Sequence, residues 1–127
     1  MDKLLKDRTI KDKDAVMFDI DDTLIFMNGR ANKPIINLLH YCSHLGYSIV
    51  IITARPDVVW MRGFTKWQLK RYNITYDELL FVPAELKGEA KASSGYNYIL
   101  SVGDMDTDLT NSAFGLKISN GCGIGGT

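Results

Sequence analysis

The chain of 127 residues has only two cysteines, three prolines and two histidines, and its formal net charge is zero. Each shortage excludes something. Cys42 and Cys122 are too few to staple a small fold, so the core has to come from apolar burial, and the thiols are expected to be free in a reducing compartment. His40 and His44 are spaced i, i+4 on one helical stretch but have no third ligand or acid nearby, so a solvated helix face is expected and not a zinc site. Fifteen Lys/Arg against fifteen Asp/Glu leave no global signature for a polyanion partner, although a local basic patch stays open. No apolar run approaches the ~20 residues that span a bilayer. Residues 1–8 carry charge throughout and have no apolar h-region, so neither a leader nor an anchor is expected and the compartment is read as cytoplasmic.

What is present is ordinary for a globular chain, with 46% hydrophobic and 24% charged residues, and 127 residues suffice for one domain with one core. Residues 1–14 alternate basic and acidic groups around Leu4, Leu5 and Ile10 and read as a lead-in segment. An apolar run predicts a strand over 15–20, and Asn28-Gly29 predicts a tight turn in a small flap behind it. Pro34 opens a helix whose apolar positions recur until Gly46. Ser48 to Thr53 is a β-branched run, hence a strand buried on both faces. A helix over about 57–72, strands near 79–82 and 98–102, a short helix around 106–113 and a strand near 114–118 follow, with 84–95 polar and 121–127 Gly-rich. Alternating strands and helices predict an α/β fold with a mainly parallel sheet and ligands beyond the carboxyl ends of the strands.

Three strands deliver polar groups to that edge: the first ends in Asp19-Ile20-Asp21-Asp22-Thr23, the second in Thr53, the fourth in Gly103-Asp104. Anions this close repel, and stability does not ask for them; a hard cation or a reacting phosphate does. Asp19 and Asp21 share a strand face by i, i+2 spacing and can divide the roles of ionised nucleophile and proton donor. Asp104 and Asp108 can bring further oxygens, and carboxylates without a His/Cys cluster favour Mg²⁺ over Zn²⁺. Thr53 offers a hydroxyl beside a helix start suited to an anion, and a lysine, Lys87 or Lys91, can balance the charge. Arg55 reads equally as a contact to a leaving group or as a solvated arginine. Trp60, Phe64 and Trp67 share a helical face that is expected to pack as core, with a substrate-facing role as the alternative. Arg62, Lys66 and Lys70 form a basic stripe expected on a solvated face, with a nucleic-acid backbone as the alternative.

The DxDx[TV] pattern at Asp19–Thr23, Ile51-Ile52-Thr53, and the GDxxxD pattern from Gly103 to Asp108 resemble, in this order, the motifs of the haloacid dehalogenase (HAD) superfamily. The stretch Lys87-Gly88-Glu89-Ala90-Lys91, then Gly95-Tyr96 and Val102 to Leu109, resembles its acid-phosphatase-like branch. The resemblance implies a Rossmann-like three-layer α/β/α sandwich. It implies Asp19 as nucleophile forming an aspartyl phosphate, Asp21 as acid/base, and Thr53 with Lys87 (or Lys91) on the phosphoryl oxygens. It further implies Mg²⁺ held by Asp19, the Asp21 backbone carbonyl and Asp104, with Asp108 behind them. About ten residues separate Asp21 from the first helix, and a helix plus a strand fill the space from Thr53 to Lys87, so minimal or no cap is expected. The expected activity is hydrolysis of phosphomonoesters, with small phosphorylated molecules or nucleotides as substrates and a polynucleotide 3′ end as the alternative. A phospho-acceptor module of receiver type is the rival from another class, and a non-catalytic scaffold of the same fold is a third.

Overall fold

The apolar and β-branched runs form neighbouring strands of one sheet. In the computed structural model, which describes residues 5, 6 and 9–118, these are β1 (Asp14–Phe18), β2 (Ser48–Thr53), β3 (Glu78–Phe81), β4 (Asn97–Gly103) and β5 (Phe114–Lys117). All pairs are parallel, in the order β3-β2-β1-β4-β5. The connections carry α1 (Lys33–Leu45), α2 (Val59–Arg71), α3 (Lys87–Ser93) after a 3-10 turn (Ala84–Leu86), and α4 (Asp106–Leu109). This is the Rossmann-like α/β architecture expected from the alternation of elements.

Central position explains why β1 and β2 read as continuous apolar runs: strands covered on both faces cannot alternate with polar residues. Val16, Phe18, Ile49 and Ile51 point to a large cluster with Ile35, Leu39 and Cys42 of α1 and Leu69 of α2. Ala15, Met17, Val50 and Ile52 point the other way with Tyr98, where α3 approaches through Lys91, bonded to Ser101 Oγ at 2.9 Å. Two helical layers therefore sandwich the sheet. Burial pushes the Cys42 thiol up to about 12, as befits a core side chain.

Several boundaries differ from the sequence reading for physical reasons. β1 stops at Phe18, two residues early, because the chain tightens at once: the N–H groups of Leu24 and Ile25 both donate to the Ile20 carbonyl, at 2.9 and 3.1 Å. The expected flap follows, reversing at Gly29 (φ 85°), whose N–H donates to the Phe26 carbonyl at 2.8 Å. Neither this flap nor the stretch from β2 to α3 holds an inserted domain. The stretch 84–95 was expected to be merely polar; it contains α3, which has no apolar stripe because its inward side chains are Lys87 and Lys91. The last helix ends at Leu109, short of the expected 113.

The aromatic stripe is the clearest correction. Trp60, Phe64 and Trp67 are 70%, 45% and 57% exposed, and α2 buries only Thr65 and Leu69. Periodicity placed the three rings on one face, but the sheet takes the opposite, narrower side of the helix. The lead-in is anchored at Leu5, which is fully buried and whose carbonyl accepts from the Tyr47 hydroxyl at 2.9 Å. The reading of 121–127 as a tail falls outside the described residues. No helix among the described residues is long and apolar enough to cross a membrane.

Leu39 is fully buried between α1 and the sheet, whereas Met27 is 77% exposed on the flap. Leu39→Ala should lower unfolding stability by ~2–5 kcal/mol, and Met27→Ala should change it by less than ~0.5 kcal/mol. Urea denaturation followed by far-UV circular dichroism measures both.

Candidate active site

The sheet register sets the geometry at its carboxyl edge. Phe18 lies level with Ile51 of β2 and Val102 of β4, so Asp19, Thr53 and Asp104 follow at neighbouring strand ends. The Asp19 N–H still donates to the Val102 carbonyl at 3.0 Å, which fixes its backbone although β1 has ended. The Asp19 side chain turns inward and is buried. Carboxylate oxygens of Asp19, Asp104 and Asp108 all lie within 4.8 Å of one another.

Lys87 is the counter-charge. From the first turn of α3 its ammonium reaches Asp19 Oδ1 at 2.8 Å and Asp108 Oδ1 at 2.5 Å, and it is itself buried. Lys91, one helical turn on, points elsewhere. Its ammonium donates to Ser101 Oγ at 2.9 Å, to the Thr110 carbonyl at 2.7 Å and to the Asp108 carbonyl. Of the two lysines left open by the sequence, Lys87 therefore meets the acids directly, while Lys91 pins the chain that carries Asp108.

Asp108 can reach the group only because Gly103 has no side chain: a Cβ there would overlap the Asp108 carboxylate. The Asp108 Oδ2 also accepts from the Met105 N–H at 3.1 Å, which holds the acid folded back over the strand end. Asp108 is therefore within the cluster and bonded to Lys87, closer in than the sequence reading put it. Gly88 has a similar reason, since a Cβ would stand 2.9 Å from Thr110 Oγ1.

Asp21 is the residue the structure does not bring into the group. Its carboxylate, 45% exposed, accepts from Arg55 twice, at 3.1 Å from Nε and 2.8 Å from Nη2. Arg55 is neither solvated nor free: it also donates to Thr65 Oγ1 at 3.1 Å and lies 5.9 Å from the centre of the Phe64 ring. Thr53 is fully buried at the end of β2, and its hydroxyl accepts from the Arg55 N–H at 3.2 Å. Asp22 turns toward the flap in a left-handed conformation (φ 59°), its carboxylate accepting from the Met27 N–H at 3.0 Å.

Two contributors were not singled out from sequence. Thr23 donates to Asp19 Oδ2 at 3.4 Å, and buried Asn32 ties the Thr23 carbonyl to the start of α1 at 2.8 Å. The Thr23 signal was present in the motif itself; nothing in the sequence marked Asn32.

The electrostatics follow from crowding. Burial, and then the Asp108 charge, push the Asp19 carboxyl up to about 7 although the Lys87 ammonium pulls it down. Burial likewise raises Asp104, helped by Asp108. For Lys87 burial works against the charge, but Asp19 and Asp108 outweigh it and the ammonium is held above its usual range. Three carboxylates facing one ammonium leave a surplus of negative charge walled by oxygen, a donor set suited to a hard divalent ion.

The sign of the pH effect follows. Folding raises the Asp19 carboxyl from 3.8 to about 7, so the folded state binds its proton more tightly than the unfolded chain. The associated stability is complete below about pH 4 and is lost as pH rises toward 7. Thermal melts of the metal-free protein against Asp19→Asn should show the substituted protein gaining relative stability across that window. Added Mg²⁺ should raise the parent melting temperature more at pH 8 than at pH 5, where protons compete for the carboxylates. A cation effect that does not depend on pH would contradict this assignment.

Residues 16–77 match the model of a family described as haloacid dehalogenase-like hydrolase. The fold is similar to a chain in a solved Pnkp1/Rnl/Hen1 complex, with a TM-score of 0.72 and 21% identity over 86% of this chain and 47% of that one. It is similar also to a chain in a structure of the Pnkp1/Rnl/Hen1 RNA repair complex, with a TM-score of 0.69 and 21% identity over 86% and 43%. This chain thus spans less than half the length of either. No curated protein matches the sequence. The matched segment, just under half of the chain, carries most of β1 together with Asp19, Asp21 and Thr53, and over it the chain is similar to the haloacid dehalogenase-like hydrolases.

Proposed function

We propose that this domain is a Mg²⁺-dependent phosphomonoester hydrolase with Asp19 as nucleophile. The observation that carries the reading is the buried Asp19 carboxylate at the central strand end, held by Lys87 and crowded by Asp104 and Asp108. Asp19, Asp104 and the Asp21 backbone carbonyl would hold the ion, with Asp108 beside them; when bound, it offsets the charge of the three acids and of the incoming phosphate.

The chain's own residues account for the rest. An Asp19 oxygen attacks phosphorus, the bond to the ester oxygen breaks, and an aspartyl phosphate forms. Asp21, at the solvent side of the edge, gives a proton to the departing oxygen and then takes one from the water that attacks phosphorus. That attack returns the Asp19 carboxylate and releases inorganic phosphate. Thr53 and Lys87 supply donors to the phosphoryl oxygens. Because Asp21 is bonded to Arg55, its carboxyl must turn from the guanidinium toward the substrate when the leaving group arrives.

The sheet order argues against the receiver reading. Receivers have the doubly wound order 2-1-3-4-5, whereas here β1 lies between β2 and β4 in the order 3-2-1-4-5. A receiver also carries its acceptor acid at the end of a later strand, not of the first.

For the substrate, the absence of an inserted cap domain leaves an open edge that small phosphorylated molecules and nucleotides can enter. A second reading, a phosphate at a polynucleotide 3′ end, is favoured by the likeness to chains of RNA repair complexes and by the same open edge. Phosphate release from p-nitrophenyl phosphate, nucleotides and 3′-phosphorylated oligonucleotides tests both. Asp19→Asn should lose roughly a thousandfold or more in rate, and EDTA should abolish turnover until Mg²⁺ is restored; retained activity in either case would overturn the mechanism. Lys87→Ala should lower kcat by about a hundredfold or more. Lys91→Ala should mainly lower the melting temperature, because two buried acceptors, Ser101 Oγ and the Asp108 carbonyl, and the part-buried Thr110 carbonyl lose their donor.

A further inference from the structure

The aromatic face of α2 is left unexplained by the catalytic site. Trp60, Phe64 and Trp67 stand exposed in one row, and Phe64 and Trp67 stack with ring centres 6.1 Å apart. Helix α2 has four basic residues and no acidic one in a chain whose net charge is zero. Arg62, Lys66 and Lys70 recur at i, i+4, i+8, so the basic row runs alongside the aromatic one on the solvent side.

Between the rows lies Gly63, the neighbour of Trp60, Lys66 and Trp67 on the helix surface. A Cβ there would meet nothing within 4 Å. Glycine costs about 1 kcal/mol against alanine in a helix interior, and no packing contact asks for it here. It leaves a bare notch between indole and ammonium. At the far end a shallow recess of about 380 Å³ is lined by Trp67, Lys70 and Arg71, with the Arg71 guanidinium 5.7 Å from the Trp67 ring centre. The row begins at the catalytic edge, since Phe64 contacts Arg55 and Arg55 holds Asp21.

We propose that α2 is a stacking ridge for single-stranded nucleic acid, with bases on Trp60, Phe64 and Trp67 and the backbone on Lys66, Lys70 and Arg71. Flat apolar rings beside a row of cations are what a strand of π-faced bases and regularly spaced phosphates recognises. A protein partner would be matched by the rings but not by the positive charge of Lys66, Lys70 and Arg71, which remains after Arg62 pairs with Asp57. The proposal gives the proposed phosphatase a substrate class and rests on that reading only for turnover; binding stands apart from it.

Trp60 and Trp67 are the only tryptophans in the chain, so its indole fluorescence reports the ridge directly. Titration of the intact protein with an unphosphorylated ten-nucleotide oligouridine should quench it saturably. The logarithm of the affinity should fall with the logarithm of salt concentration, by about 0.7 per phosphate neutralised. Trp60→Ala and Trp67→Ala should each weaken binding roughly five- to hundredfold by labelled-oligonucleotide anisotropy. Lys66→Gln with Lys70→Gln should flatten the salt slope by about 1.4. All four substitutions lie on the solvent face and should leave p-nitrophenyl phosphate hydrolysis unchanged, while raising KM and not lowering kcat on 3′-phosphorylated oligonucleotides.

Absence of quenching, or affinity indifferent to both tryptophan substitutions, would overturn the ridge. So would sedimentation showing a dimer that Trp67→Ala dissociates, since the face would then be a protein interface. Binding retained in Asp19→Asn supports the ridge, and binding by a protein that hydrolyses no ester keeps the ridge while sinking the phosphatase reading.

Discussion

The Lys87 ammonium, lodged between Asp19 and Asp108, is the contact on which the rest of the site depends. Taking a carboxylate out of water costs several kcal/mol; Asp19 and Asp108 are buried, and repulsion among them and the half-buried Asp104 adds to that cost. One buried ammonium offsets part of it and no more. The residue is a site that is unfavourable when empty and is relieved by a divalent cation or by protons. Much of the surrounding structure serves this arrangement: Gly103 clears room for Asp108, Lys91 fastens the backbone that carries it, and α3 exists chiefly to present two lysines.

Legibility from sequence followed the kind of information each element carries. Strands β1 and β2 could be read because burial on both faces demands a continuous apolar run. Asp19, Thr53 and Asp104 were legible because each directly follows such a run. Helix α3 was not: its sequence, KGEAKAS, has no apolar period, and what it buries is charge. Choosing between Lys87 and Lys91 was beyond the sequence for a related reason. The two share a helix face one turn apart, and only the height of α3 above the sheet decides which meets Asp19. Asp21 shows the limit of period-2 reasoning, because β1 ends at Phe18 and the next turn sends Asp19 inward and Asp21 toward Arg55.

The aromatic row of α2 failed for a different reason. Helical periodicity says which residues lie together, not whether protein or water faces them. Here the sheet-facing side of the helix needs only Thr65 and Leu69, so apolar rings remain for the outside. Leaving two indoles in water forfeits the burial that would stabilise a fold by ~2–3 kcal/mol for each large side chain, with no gain in packing. The proposed stacking of bases on the rings would recover part of that burial.

Without an inserted cap domain, selectivity has to come from outside the reacting groups. On the proposed reading, the acid cluster with a divalent cation and one lysine would accept any phosphate and distinguish none, because phosphate esters present the same oxygens whatever they are attached to. Discrimination must then reside in what the remainder of the substrate touches as it leaves the edge. The path is marked by a single residue: Arg55 is bonded to Asp21 on one side and packed against Phe64 on the other. Whatever displaces or straightens that arginine acts on the proposed proton donor and on the aromatic row together. A leaving group that extends over Phe64 therefore has a physical route to influence proton transfer, whereas a small ester touching only the acid cluster has none.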